Sequence, residues 1–214
     1  MALDGSYAGL TASIQAFMNR ADLAGDPVND AVVIGEARLN RLLRHRLMLN
    51  RATLAPGGAA GRSASGALVA LPADFLQVLV ATLDGGRQLD AATPQAIFDA
   101  VSEHGPGGPT GRAGPPRLYS VIGAELQLYP APATATNLEL VYYARLAPAA
   151  AAGNWLLTGY PDLYLSAGLY GALTYTQDDR APAFDALLQR QIAELNLAHE
   201  GLGARVQARP SIAV

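Results

Sequence analysis

ALVALPADFLQVLVATLDGGRQL, residues 67–89, is the stretch in which the chain changes its period. Ala67–Leu71 is a short apolar run, Pro72, Ala73 and Asp74 supply a turn, and Phe75–Leu83 is a second run rich in Val and Leu. Asp84, Gly85 and Gly86 then read as a hairpin signal leading into Arg87–Leu89. Two apolar runs of strand length, punctuated by turn residues, predict the start of a β module.

Upstream of that point the period is helical. Leu10, Ile14 and Phe17 recur at i, i+4 and i+7 behind Ser6, a good N-cap. After a break over Arg20–Pro27, Asn29 or Asp30 caps a second helix expected to reach about Leu49. Its stripe is Val32, Gly35, Leu39, Leu42, Leu43 and Leu47. Pro56–Gly66, small and flexible in composition, reads as a linker.

Downstream, Thr93 before Pro94 starts a short helix through about Val101, and Gly105–Pro116 is loop. Arg117–Ile122, Glu125–Tyr129 and Asn137–Leu146 read as strands. A small-residue loop, Pro148–Gly153, leads back to helices at Pro161 to about Thr176 and Pro182–Glu200, with Asp178 and Asp179 between them. The expectation is an α+β fold: a helical bundle built from both ends of the chain, with a small antiparallel β-rich domain inserted. The expected spans are 1–62 and 154–200 for the bundle helices, 67–146 for the β module, and 201–214 for an extended tail.

Composition narrows the function. The chain has 214 residues, 50% of them hydrophobic and only 15% charged, with a net charge of -3. That is not disorder, which needs low hydrophobicity and high charge, and no apolar run is long enough to span a bilayer. Residues 1–20 lack a basic n-region, so no signal peptide is read. The absence of Cys removes thiol chemistry and suits a reducing compartment. All 15 basic residues are Arg, which reads as codon bias. The shortage of charge is more informative, since a surface covered by other subunits needs fewer charges.

Enzyme signatures are missing. His45, His104 and His199 stand apart, without a second His or a carboxylate at ligand spacing. No G-x-S-x-G, H-E-x-x-H or P-loop occurs. Gly105–Gly108 is interrupted by Pro106 and lacks the strand-to-helix setting of a phosphate loop. The reading is a non-enzyme with no catalytic residue, no metal ligand and no cofactor. The one basic concentration is Arg38, Arg41, Arg44, His45 and Arg46. It is either a face that pairs with acidic residues of a neighbour or one that passes over DNA phosphates.

The residues are similar, in order, to the head–tail adaptor (connector) proteins of tailed bacteriophages, of the type common in podovirus-like phages. The resemblance begins with Tyr7–Leu23, whose opening helix ends near an Arg-x-Asp-Leu, and Glu36–Arg44. It continues through Leu71–Leu76, which fits an "LPxDFL" entry to the β module. Gly114–Tyr119, Leu126–Pro132 and Leu140–Arg145 follow as strands. Its most specific element is Asn154-Trp155-Leu156-Leu157-x-x-Tyr160-Pro161-Asp162-Leu163-Tyr164-Leu165, followed by Ala172, Asp178 and Asp179. The enlarged loop around Gly105–Gly114 departs from the pattern.

The resemblance implies a virion protein, assembled in the host cytoplasm, that forms a ring of about twelve copies under the portal. Such a ring joins the portal protein to a tail or nozzle protein and surrounds the channel through which packaged DNA passes without sequence-specific contact. It also implies that the C-terminal segment reaches the portal, which makes Arg205, Val206, Arg209, Pro210, Ile212 and Val214 candidate portal contacts. Arg38, Arg41, Arg44 and Arg46 become candidates for an inter-subunit or channel-facing surface. Trp155, Tyr160, Pro161 and Asp162 are read as a structural anchor, with Trp155 packing between the β module and the bundle. Two rivals stand beside this: a DNA-binding accessory protein using the Arg38–Arg46 helix, and a small-ligand or carbohydrate module using Tyr119, Tyr129, Tyr142 and Tyr143.

Overall fold

A computed structural model describes residues 3–20, 23, 25–55, 62–63, 66–83, 86–105, 114–132 and 137–207. It is an α+β protein of two compact units, one formed by both chain ends, Met1–Met48 with Arg145–Val214, and one by Leu49–Ala144.

In the first unit, α1 (Tyr7–Met18) begins where Ser6 Oγ accepts the Gly9 N–H at 3.0 Å, as the sequence predicts. Helix α2 (Asp26–Leu42) starts three residues before the expected cap, because Pro27 in its first turn is already set for helix and needs no N–H. The helices of the second half are α4 (Ala149–Ala152), α5 (Trp155–Gly159), α6 (Pro161–Tyr175) and α7 (Ala181–Gln207). Helix α6 is the centre of the unit. Leu163, Tyr164, Ala167, Leu169, Ala172 and Leu173 are all buried on it, and it packs against α1, α2, α5 and α7.

The α2–α6 contact is unusually close because both helices present small residues. A Cβ at Gly35 would collide with the backbone carbonyl of Ala167, and one at Gly171 with that of Ala31. Gly168 faces the Ile14 side chain of α1 in the same way, at 2.5 Å from where its Cβ would stand.

Two expectations about these helices are corrected. The helix expected to reach Leu49 stops at Leu42, and Leu47 lies exposed beyond it. No Gly or Pro marks this stop. It is made from far away: Asn196 of α7 accepts the Arg44 N–H at 3.1 Å and donates to the Leu42 carbonyl. The Arg44 guanidinium also turns back onto the carbonyls of Asn40 and Leu43. At the other end of the chain, residues 201–207 continue α7 where an extended tail was expected to begin at Gly201. Extending an existing helix adds one hydrogen bond per residue with no new nucleation, and this outweighs the cost of about 1 kcal/mol each for Gly201 and Gly203.

The second unit contains two sheets. One has the order β1 (Leu49–Leu54), β9 (Leu138–Ala144), β4 (Phe75–Leu83), β5 (Arg87–Gln88). The other has the order β2 (Arg62–Ser63), β3 (Gly66–Ala70), β8 (Glu125–Tyr129), β7 (Leu118–Ile122), β6 (Asp90–Ala91). All neighbours are antiparallel except β6 and β7. Val69, Leu126 and Leu128 of one sheet share a core with Ala81, Leu83, Leu138, Leu140 and Tyr142 of the other. Irregularities in the β4–β9 register let Phe75, Val78, Ala81 and Leu83 all face this core, a spacing that plain alternation does not allow.

Strand β1 falls between the expected helix end at about Leu49 and the expected linker from Pro56, a stretch with no expected element. Helix α3 (Pro94–His104) is capped by Thr93 Oγ1, at 3.2 Å from the Ala96 N–H, and runs a turn past the expected Val101. The Tyr129 hydroxyl holds its end, donating to the Ala100 carbonyl at 2.9 Å. The expected hairpin residues Asp84 and Gly85, and most of the Gly105–Pro116 loop, lie outside the described residues.

Candidate functional site

The Asn154–Leu165 motif can be traced residue by residue. Asn154 caps α5, its Oδ1 accepting the Leu157 N–H at 2.9 Å. Its Nδ2 donates to the Ala147 carbonyl at 2.7 Å and to the Tyr164 hydroxyl at 3.1 Å. That hydroxyl donates in turn to Glu36 Oε1 of α2 at 2.5 Å, and the same carboxylate oxygen accepts the Ala149 N–H at 2.8 Å. Four residues further along α2, Asn40 Oδ1 accepts the Leu146 N–H at 2.9 Å. Glu36 and Asn40 therefore sit on one face of α2 and hold the chain where it re-enters the helical unit. Sequence reading missed both, since an isolated Glu and Asn on a polar helix face carry no signal.

Around this node lie the residues read as an anchor. Trp155, half-buried, stacks on the buried His45 ring at 5.1 Å and 26°, and meets Tyr160 edge-on at 6.3 Å. His45 Nδ1 accepts the Leu47 N–H at 3.3 Å, fixing the turn that follows α2. Tyr160 precedes α6 without a side-chain cap, Pro161 opens the helix, and Asp162 places a carboxylate in its positive first turn. All these contacts lie within the helical unit.

The arginines proposed for one face are not brought together. Arg38 forms a bidentate pair with Asp185 of α7, both bonds at 2.9 Å. Arg44 is committed to the end of α2. Arg41 is exposed, with Nε on the Ala37 carbonyl, and Arg46 is exposed in a 3-10 turn, Arg46–Met48. Arg205 and Val206 fall on the last turns of α7, and Arg209, Pro210, Ile212 and Val214 lie outside the described residues. At the α6–α7 corner, the Arg180 guanidinium and N–H hold the Asp178 carboxyl down at about 2.

The tyrosines of the ligand-binding alternative are engaged in the β module itself. Tyr142 is buried and donates to Asp74 Oδ1 at 2.9 Å, while Asn50 Nδ2 donates to it at 3.3 Å. Tyr129 is buried under α3, and Tyr119 packs against the core. Among the described residues, no group of three or more His, Asp or Glu could hold a metal, and no helix is long and apolar enough to cross a membrane.

These burials have a titration consequence. Desolvation first, then the Glu36 hydrogen bond, pushes the Tyr164 hydroxyl far above the ordinary phenol range. Burial raises Tyr7, Tyr119, Tyr129 and Tyr142 as well, with Asp74 adding to the shift at Tyr142. A phenol whose folded pKa lies above its unfolded value of 10.0 stabilises the fold fully below that pH. The contribution is lost as pH rises towards the folded value. The expected result is a stability plateau on the neutral side and cooperative unfolding above about pH 10, accompanied by phenolate absorbance at 295 nm. Reversible ionisation of all the tyrosines in an intact fold would contradict it.

The comparisons with known proteins fit this layout. No curated protein matches the chain. The match to the SU10 adaptor protein family covers residues 6–211, and so includes both units and every element from α1 to α7. The chain belongs to the SU10 adaptor protein family, a family of phage head–tail adaptors.

Proposed function

We propose that the protein is a non-enzymatic virion component that forms a ring of about twelve copies at the head–tail junction. The ring sits under the portal, joins it to a tail or nozzle protein, and encloses the channel for packaged DNA. The observation that carries this reading is family membership across residues 6–211. The low charge supports it, because a ring buries two different faces of every subunit. In this reading assembly takes place in the host cytoplasm and needs no cofactor.

Within the proposal, the end of α7 and the residues after it, from Arg205 and Val206 to Arg209, Pro210, Ile212 and Val214, contact the portal. Arg41 and Arg46 are the exposed members of the basic set, and they carry the proposed channel or subunit-boundary role. Arg38 and Arg44 serve the subunit's own fold, which weakens the DNA-binding alternative.

Truncation after Ala204 tests the assignment. The shortened chain is expected to keep its helical circular dichroism and its melting temperature to within a few degrees, because among the residues whose burial is described the last buried hydrophobic is Ile192. It is expected to lose co-sedimentation with purified portal rings. Undiminished binding to the portal would remove the C-terminal segment from the interface.

A further inference from the structure

We propose that copies of the chain meet through their β modules. In this contact the apolar groove beside α3 on one copy receives the Arg87–Arg117 edge of the next. The proposal rests on the ring reading and adds to it which surfaces touch. The groove, about 400 Å³, lies between the start of α3 and the outer side of β3, β8 and β7. Its lining includes Leu68, Pro94, Phe98 and Ile122, with Phe98 62% and Ile122 45% exposed. Among the described residues Glu125 is the only charged one in that lining. Apolar side chains grouped in a concavity with a single carboxylate at the rim favour a partner with an apolar stem and a cationic head, which is how an arginine is built.

The same module offers such a partner elsewhere. Where β5 and β6 end their sheets, a shallow cleft is lined, among the described residues, by Arg87, Gln88, Asp90 and Arg117, two guanidiniums against one carboxylate, all exposed. β5 and β6 are two residues each, too short to recruit a neighbour by main-chain pairing alone. Side chains therefore have to carry any contact there. The acidic-rimmed groove and the basic edge are different surfaces of one unit, so their pairing is heterologous. Repeated from copy to copy, it builds a chain or a ring and not a closed dimer. A guanidinium facing Glu125 can make the bidentate pair that a lysine could not.

Because the chain has no cysteine, single thiols can be placed without background. Two full-length variants, Gln95→Cys at the groove and Arg87→Cys at the edge, are loaded on portal rings separately and as a mixture, then oxidised. Covalent dimers are expected from the mixture at least ten-fold above either variant alone. Adding Glu125→Arg to the groove variant should reduce them at least five-fold, and adding Arg117→Glu to its edge partner should restore them. Dimers from one variant alone would mean an isologous contact and would overturn the pairing. Loading on the portal without dimers in the mixture would also overturn it while leaving the ring intact. Failure to load at all would overturn the ring reading, and this inference with it.

Discussion

Gly171→Ala lowers the stability of the protein by about 2 kcal/mol or more, although alanine is the better helix former by about 1 kcal/mol. The two effects oppose each other, and geometry decides between them. A Cβ at position 171 would stand inside contact distance of the Ala31 carbonyl, and Ala31 is backbone of a packed helix that cannot swing aside like a side chain. Relief requires α2 and α6 to separate, which opens the contact on both sides of the substituted residue. For a chain of this length the melting temperature should fall by roughly 4–8 °C. Gly35→Ala, which meets the Ala167 carbonyl, should behave alike. Gly159→Ala is the control, since nothing lies within 4 Å of its added carbon. It should shift stability by no more than about 0.5 kcal/mol, in the favourable direction. Thermal melts of the three variants check the pattern. If Gly171→Ala melted as high as the parent, the close approach of α2 and α6 would be wrong.

That close approach also changes the meaning of the composition. A chain rich in alanine and glycine reads first as the product of a GC-rich genome. Ala31, Gly35, Ala167 and Gly171 are nevertheless the residues that let two helices touch backbone to backbone. The bias supplied small residues widely, and at these positions the fold depends on them.

What the sequence revealed followed from local physics. Ser6 and Thr93 accept the N–H groups of the turns they precede, so a cap could be read at its own position. β4 and β8 are apolar runs bounded by turn residues, and their limits, Phe75–Leu83 and Glu125–Tyr129, match the reading. What stayed hidden was set at long range. The end of α2 is fixed by Asn196, more than 150 residues away, so no local signal marks the stop at Leu42, seven residues short of the expected Leu49. β1 owes its form to pairing with β9, because Leu49–Leu54 has neither alternation nor β-branched content enough to declare itself. Among the site residues, the arginine cluster was visible as a cluster, but its division between Asp185, the α2 terminus and solvent depends on α7. The Asn154–Leu165 motif was visible by resemblance, and its partner Glu36 was not.

Glu36 is therefore the residue at which a single change should do most damage outside the glycine contact. Glu36→Ala removes the acceptor of two donors at once, the Tyr164 hydroxyl and the Ala149 N–H. Tyr164 is 1% exposed, so water cannot replace the lost acceptor. Leaving two such donors unpaired should cost roughly 2–4 kcal/mol. Tyr164→Phe is milder, at about 1–2 kcal/mol, because Asn154 keeps the Ala147 carbonyl and Glu36 keeps the Ala149 N–H. The double variant should cost less than the sum of the two by about 1–2 kcal/mol, since each single change breaks the same bond. Glu36→Gln preserves an acceptor oxygen and should recover about half the loss, which separates the hydrogen bond from the space the side chain fills. Urea titrations of the four variants and the parent give the cycle directly. Additive losses would mean that Glu36 and Tyr164 stabilise the fold independently. The most specific motif in the chain would then act through packing of Trp155, Leu156 and Leu157 alone. A coupled result would show that the motif's Asn and second Tyr exist to receive α2, tying the first half of the chain to the last before any partner is met.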